Sequence, residues 1–109
     1  MSFIIKEYLT SDGASPFGKW FEGLNATAAV KVRIAITRME LGNFSNSKSL
    51  GEGVWETKID FGPGYRVYYG KDGEKIVILL AGGTKKRQQQ DIQKAKGLWL
   101  EFKKRNGGH

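Results

Sequence analysis

Lysine, arginine and tyrosine supply most of the side chains in this sequence that could carry out chemistry. The sole histidine is His109 and there is no cysteine, so a Ser-His-Asp or paired-histidine mechanism is excluded unless the last residue is ordered. No Cys or His cluster could bind zinc, no pair of carboxylates has the spacing of a metal site, and the P-loop pattern is missing. We therefore predict a site that uses no metal and no cofactor.

This set of side chains suits the cleavage of RNA. Attack of a 2′-OH on the adjacent phosphate forms a phosphorane whose extra negative charge Arg and Lys can stabilise, while Lys or Tyr moves protons. In the segment GPGYRVYYG, residues 62–70, strand alternation puts Arg66 and Tyr68 on one face. Glu56 and Lys58 stand on the neighbouring predicted strand. If the strand register lets them face Arg66, Lys58 and Arg66 form a basic pair on a sheet.

Each of these residues also has a purely structural interpretation. Arg66 could pair with Glu56 across the strands, and Lys58 could be an ordinary solvent-facing residue. Tyr65 and Tyr69, on the other face of the strand, are predicted to pack in the core. A strand-surface arginine contributes little to stability, so Arg66→Ala is expected to lose activity at a cost of about 1 kcal/mol or less.

The net charge indicates an anionic partner. Eighteen Lys and Arg against eleven Asp and Glu give +7, with a pI near 9.7, a surplus that commonly marks a nucleic-acid-binding protein. Residues 85–105 contain eight basic and two acidic residues. For the cluster at 85–87, phosphate binding and simple solvation are both open. Asp91 could be a favourable charge at a helix N-terminus.

Length and composition predict one folded domain. The chain has 109 residues, of which 39% are hydrophobic and 12% aromatic. No apolar run approaches the roughly 18 to 20 residues of a membrane span, and the N-terminal segment does not have the pattern of a signal peptide. We expect a cytoplasmic protein with one domain over residues 1–105 and a flexible tail over 106–109.

The first half of the chain predicts a strand and a helical hairpin. Residues 3–9 have the pattern of a short strand. Ser15 is placed to cap a helix that begins at Pro16, and a second helix runs from near Asn25 to Leu41. The second helix has a core-facing stripe of Val32, Ala35, Ile36 and Met39. The polar segment 43–53 is predicted to be a loop.

The second half predicts a three-stranded meander and a last helix. The strands are expected at 54–61, 65–69 and 76–81, joined by turns at GPG and KDG. After the loop GGTKKR, a helix begins near Gln88 with an apolar stripe of Ile92, Ala95, Trp99 and Phe102. The predicted order is β-α-α-β-β-β-α. This is an α+β fold with a twisted, mainly antiparallel sheet.

Three motifs in residues 49–99 carry a family resemblance. They are LGEGVWE, D-x-GPGYR-x-YY and GG-x-KKRQQQDI-x-KA, and the N-terminal FGKWFEGL also fits. With this order and spacing the chain resembles the RelE/ParE superfamily of toxins from bacterial toxin–antitoxin systems. The closer likeness is to the HigB-like, phage-related branch known as "addiction module killer protein". The resemblance implies a RelE-like fold and a ribosome-associated mRNA endonuclease. It also implies a cognate antitoxin, a small helix-turn-helix protein encoded beside it.

The resemblance also implies which residues act. It makes Lys58 a general base or charge stabiliser, Arg66 a phosphate clamp, and Lys85 or Lys86 a stabiliser of the transition state. The other residues predicted to contact RNA are Arg87, Lys94, Lys71 and Tyr68. Where RelE-like enzymes carry a second Lys and a C-terminal Tyr, this chain has Glu56 and Asp91, which are the possible acid–base groups.

Two other functions are compatible with the sequence. A ParE-like gyrase inhibitor, within the same superfamily, would need no site at Lys58 and Arg66. A non-enzymatic RNA-binding or protein-binding module would use only the basic face. The GYR hairpin beside a basic loop favours the ribonuclease.

Overall fold

Three helices pack on a five-stranded sheet in the computed structural model, which describes residues 2–106. The elements are β1 (Ile4–Glu7), α1 (Pro16–Glu22), α2 (Ala26–Glu40), β2 (Ser47–Gly51), β3 (Val54–Ile59), β4 (Tyr65–Asp72), β5 (Ile76–Thr84), a 3₁₀ turn (Lys85–Arg87) and α3 (Gln88–Arg105). The architecture confirms the predicted α+β, RelE-like fold. No helix within residues 2–106 is long and apolar enough to cross a membrane. Residues 107–109 of the predicted tail, with His109, lie outside the described residues.

The helix ends follow the local signals in the sequence. The Ser15 hydroxyl accepts a 2.8 Å hydrogen bond from the Gly18 N–H, and Pro16 occupies the first helical position. The side chain of Asn25 caps α2 in the same way through the Ala28 N–H at 2.9 Å. These caps satisfy N–H groups that have no partner inside the helix, so short segments fix where the helices begin.

The sheet has the order β1-β5-β4-β3-β2, with β1 parallel to β5 and every other pair antiparallel. The prediction of a loop over 43–53 was wrong, because β2 pairs with β3 from Ser47 opposite Thr57 to Ser49 opposite Trp55. β2 lies at an edge and its side chains are exposed or half-buried. Backbone hydrogen bonds rather than apolar side chains hold it, so it lacks the alternation of a half-buried strand.

β5 is longer than the sequence predicted. The segment GGT, expected to open a loop, continues the strand, with Gly83 opposite Arg66 and Thr84 opposite Tyr65. The two glycines leave room for side chains on both faces of the sheet: a Cβ at Gly82 would collide with the Trp20 ring. Glycine at these positions therefore serves close packing rather than a turn.

The sheet separates two apolar cores. The first lies under α1 and α2 and includes Val32, Met39 and, as predicted, Tyr65 and Tyr69. The second lies under α3 and includes Tyr68, Leu80, Ala95 and Trp99. The alternating residues of β4 divide between the two cores. A side chain on one face of β4 is therefore covered by α3, and the next residue along the strand is covered by α1 and α2.

Candidate active site

The register of β3 and β4 puts four predicted site residues on one face of the sheet. Glu56 lies opposite Tyr68, and Lys58 lies opposite Arg66. Residues directly opposite each other in an antiparallel pair project to the same face. This candidate active-site face is the one covered by α3, because Tyr68 and Trp99 belong to the same core. The register confirms that Lys58 and Arg66 share a face.

The GPG turn and the basic turn after β5 meet at one backbone carbonyl. The Gly64 oxygen accepts hydrogen bonds from Arg66 Nη1 at 3.2 Å and from the Lys85 backbone N–H at 2.9 Å. Gly64 has a φ of +80°, a conformation that glycine adopts without strain. The turn of GPGYR therefore holds Arg66 beside the first residue of the 3₁₀ turn.

Glu56 is the buried counterion of Arg66. Its Oε2 lies 3.6 Å from Arg66 Nε, a separation for an ion pair but not for a hydrogen bond, and accepts a 2.8 Å hydrogen bond from Gln88 Nε2. Its Oε1 is 3.9 Å from Lys48 Nζ. The Arg66 and Glu56 side chains are only 7% and 3% exposed. The salt-bridge interpretation of Arg66 is therefore present in the structure.

Burial of Arg66 corrects the expectation for its replacement by alanine. The sequence analysis treated Arg66 as a strand-surface residue whose loss costs little. In the structure the same change removes the buried counterion of Glu56 and leaves the carboxylate with the hydrogen bond from Gln88 and the mostly exposed Lys48 ammonium at 3.9 Å. Loss of a buried counterion is strongly destabilising, so Arg66→Ala weakens the fold as well as the site.

Tyr68 lies in the core beneath this ion pair. It is completely buried, and its hydroxyl has no hydrogen-bond partner within residues 2–106. Burial, followed by the negative charges of Glu56 and Asp91, raises the pKa of Tyr68 far above its usual value. The predicted RNA contact of Tyr68 is contradicted, because a ring with no exposed surface cannot stack on a base.

Asp91 lies on the backbone of Gly83, where a Cβ would collide with its carboxylate. Because Gly83 is the β5 partner of Arg66, Asp91 is on the active-site face. Burial raises the pKa of Asp91, while the charges of Arg87 and Lys94 act in the opposite direction. A raised pKa brings proton exchange closer to neutral pH. Of the two acidic candidates, Asp91 is thus the one not held in an ion pair with Arg66.

The other predicted catalytic cations are exposed. Lys58 and all of 85–87 are exposed, and residues 85–90 line a concavity of about 670 Å³. Lys58 Nζ lies 3.9 Å from Asp60 Oδ1, with both side chains mostly in solvent, so this pair has little energetic value. The amines of Lys58 and of the basic turn are therefore accessible to a substrate.

Lys71 lies on the other face of the sheet. Its Nζ is 4.5 Å from the centroid of the Phe44 ring and 4.6 Å from that of Trp55. Both rings pack against the first core. Lys71 therefore lies apart from Lys58 and Arg66, and its contact with RNA stays a prediction. Lys94 instead lines a groove of about 650 Å³, together with Arg87.

Two partners of Glu56 were missed in the sequence. Gln88 was considered only as the beginning of α3, and Lys48 lay in the segment predicted to be a loop. The available signal was Glu56 itself, since a carboxylate between apolar strand residues needs donors when it is buried. Which donors satisfy it depends on the packing of α3 and β2 against β3.

The site can stabilise negative charge and move protons. Arg66 is a fixed cation, the surface lysines supply mobile ammonium groups, and Asp91 supplies a carboxyl group. Positioned cations of this kind lower the energy of a phosphorane. Within residues 2–106, no three or more Asp, Glu, His or Cys side chains are grouped to hold a metal ion.

The sequence of this chain is similar to a known family and to a known protein. Residues 19–99 match the family described as "Phage derived protein Gp49-like (DUF891)". A protein of Haemophilus influenzae, described as "Uncharacterized protein", is 41% identical over 103 residues, which cover 94% of this chain and 98% of the relative. Both matches include β3, β4, β5 and most or all of α3, the elements that form the site.

Proposed function

The chain belongs to the Gp49-like family of phage-derived proteins, a family of addiction-module toxin type, and from this premise we propose that it is a ribosome-dependent mRNA endonuclease. A toxin of this type implies a cognate antitoxin. We propose that this antitoxin is a small helix-turn-helix protein encoded nearby, and that the toxin inhibits translation by cutting mRNA by 2′-OH attack.

The observation that carries this proposal is the shared Gly64 carbonyl. The carbonyl accepts from the Arg66 guanidinium and from the Lys85 backbone N–H, and the register of β3 and β4 puts Lys58 on the same face as Arg66, which supports a site built from these three residues. A phosphorane carries more negative charge than the ground-state phosphate, and cations fixed before the reaction stabilise it without reorganisation. Exposed surface lysines alone would not require such a support.

The proposed roles follow from exposure. Lys58 is exposed and deprotonates the 2′-OH or stabilises charge, and Lys85 or Lys86 contacts the phosphate. Arg66 is a buried positive charge beneath the reacting phosphate and contacts it only through the end of its guanidinium. Asp91 is the proposed proton donor to the leaving 5′-oxygen. The 2′-OH restricts this chemistry to RNA.

The test is induced expression in cells, with growth and mRNA 5′ ends measured for the wild type, Lys58→Ala and Lys85→Ala. Because both lysines are exposed, these variants should fold normally and lose at least about tenfold in cleavage. Arg66→Lys keeps the buried charge but loses the planar fork, so it should fold and cleave poorly.

Lys75→Ala is the matched control, since Lys75 is an exposed lysine at the other end of β4 and β5. It should arrest growth and cut mRNA like the wild type. New mRNA ends that persist in Lys58→Ala and Lys85→Ala would refute the active-site assignment. Growth arrest with intact mRNA and altered DNA supercoiling would refute the nuclease proposal and favour a gyrase inhibitor.

A further inference from the structure

A further polar cleft lies between α2 and the end of β3. This α2 cleft has a volume of about 270 Å³, and its polar lining includes Lys31, Arg38, Asn43, Lys58 and Asp60. It lies beyond the last pair of β2, Ser47 opposite Thr57, where the outer edge of β3 no longer has a strand beside it. The cleft therefore opens at the edge of the sheet on the side of α2, the opposite side from the face covered by α3.

The α2 cleft is positively charged. Lys31 and Arg38 are seven residues apart on α2, which places them on one side of the helix two turns apart. Within residues 2–106, neither lies within 4.0 Å of a carboxylate. With Lys58 they make three cations against the single carboxylate of Asp60, whose side chain is 91% exposed. The cleft therefore favours an anion.

The loop that closes the α2 cleft is held in place by hydrogen bonds. The Asn43 N–H donates to the Arg38 carbonyl at 2.9 Å, and the Lys58 N–H donates to the Asn46 carbonyl at 3.1 Å. The side-chain oxygen of Asn43 accepts the Ser45 N–H at 3.0 Å, which leaves its NH₂ group available as a donor. A preformed cleft loses little entropy when it binds a ligand.

Lys58 connects the α2 cleft to the active site. It lines the cleft, and its register partner across β3 and β4 is Arg66. A chain of phosphates that passes around the edge of the sheet at Lys58 can therefore contact the active-site face with one phosphate and the α2 cleft with another. RNA has such a chain, and sequence-independent affinity for it comes mostly from phosphate contacts.

We propose that the α2 cleft is a second phosphate subsite, which binds the backbone of single-stranded RNA beside the scissile bond. The inference rests on the proposed function, because it takes Lys58 as part of an RNA-cleaving site. Lys31 and Arg38 bind the phosphate, and the Asn43 amide donates to it. The cleft thereby sets the path of the strand across the end of β3.

The experiment measures binding of a short single-stranded RNA that carries 2′-O-methyl groups at every position. This probe cannot undergo 2′-OH attack, so affinity is measured without cleavage. The double variant Lys31→Ala/Arg38→Ala should bind about tenfold more weakly, and the slope of log affinity against log salt should fall by about 0.7 for the lost phosphate contact. Both residues are exposed, and a thermal melt checks that the variant is folded.

Arg33→Ala is the matched control on the same helix. Its guanidinium lies 5.3 Å from the centroid of the Phe21 ring and lines a different cleft, toward β1. Its loss should change affinity by less than about twofold. Unchanged binding by the double variant would overturn the subsite, and so would equal losses in the double variant and in Arg33→Ala.

A second probe separates RNA from an acidic peptide. If the double variant loses binding to poly-L-glutamate but not to the RNA, the cleft binds a protein segment and the proposal fails. The binding test of the cleft can fail or succeed separately from the cleavage test of the proposed function. Absence of mRNA cleavage in cells removes the nuclease but not a measured RNA subsite, whereas cleavage with unchanged binding by the double variant removes only the subsite.

Discussion

At the residue scale, Glu56 and Arg66 form a buried ion pair that affects both the stability of the fold and the proposed chemistry. Both charges leave water when the protein folds, and this costs several kcal/mol for each ion before their attraction is counted. The 2.8 Å hydrogen bond from Gln88 and the 3.2 Å hydrogen bond to Gly64 offset part of that cost. A buried pair of this kind does not add much stability, but it fixes where the cation stands.

Removal of one partner should therefore cost more than removal of both. We expect Glu56→Leu to lower the free energy of unfolding by about 3 kcal/mol, because it leaves Arg66 buried and unpaired. The double variant Glu56→Leu/Arg66→Met should recover most of this loss. Urea denaturation measures both, with Lys58→Ala as an exposed control that changes stability by less than about 0.5 kcal/mol. Equal stability of the single and double variants would contradict a coupled pair.

At the element scale, α3 is attached to the sheet by a large ring on a strand glycine. A Cβ added at Gly70 would lie 2.5 Å from the Trp99 ring, well inside van der Waals contact. Trp99 also stacks on Phe102 at 5.1 Å between ring centroids. Because α3 carries Gln88 at its first turn, this contact also places the donor that satisfies Glu56.

Gly70→Ala should displace Trp99 and lower the free energy of unfolding by about 2 kcal/mol. Gly97→Ala is the control within α3, since a Cβ there meets nothing within 4 Å. It should raise the free energy of unfolding by about 0.5 to 1 kcal/mol, because alanine favours a helix over glycine. Thermal or urea unfolding tests both. A harmless Gly70→Ala would mean that Trp99 does not hold α3 on the sheet.

At the scale of the whole molecule, the stable centre is β4 and β5. Residues 65–70 of β4 are all buried, and the two strands lie between β1 and β3 with a core on each face. β2 lies at the edge with no buried residue. Lys58, at the end of β3, and the turn at 85–87 are exposed segments attached to this centre. The proposed site thus combines a rigid support with exposed ligand-binding groups.

Hydrogen exchange should show that β4 is more stable against local opening than the edge strand β2. Amides of β4 that bond to β3 or β5 should open only with global unfolding, whereas those of β2 should exchange through local opening. β2 and β4 both pair with β3, so the comparison controls for the neighbouring strand. Protection of β2 equal to that of β4 would show that the edge strand is part of the cooperative centre.

The sequence by itself determined the helices, the first strand, the three strands of the meander, and which residues of β3 and of β4 share a face. Capping by Ser15 and Asn25, the turns at GPG and KDG, and the alternation of β3 and β4 act over a few residues. Short-range signals of this kind do not depend on the rest of the fold. They were enough to predict that Arg66 and Tyr68 share a face and that Tyr65 and Tyr69 pack in the core.

Only the tertiary structure decided which groups meet. The pairing of Glu56 with Gln88, and the α2 cleft between Arg38 and Lys58, join residues distant in the sequence. The sequence pattern did not predict the edge strand β2, because backbone pairing rather than the pattern of side chains forms it. The burial of Arg66 and Tyr68 depends on α3 lying over that face. Packing of distant elements sets burial, and burial decides which charged groups remain available for chemistry.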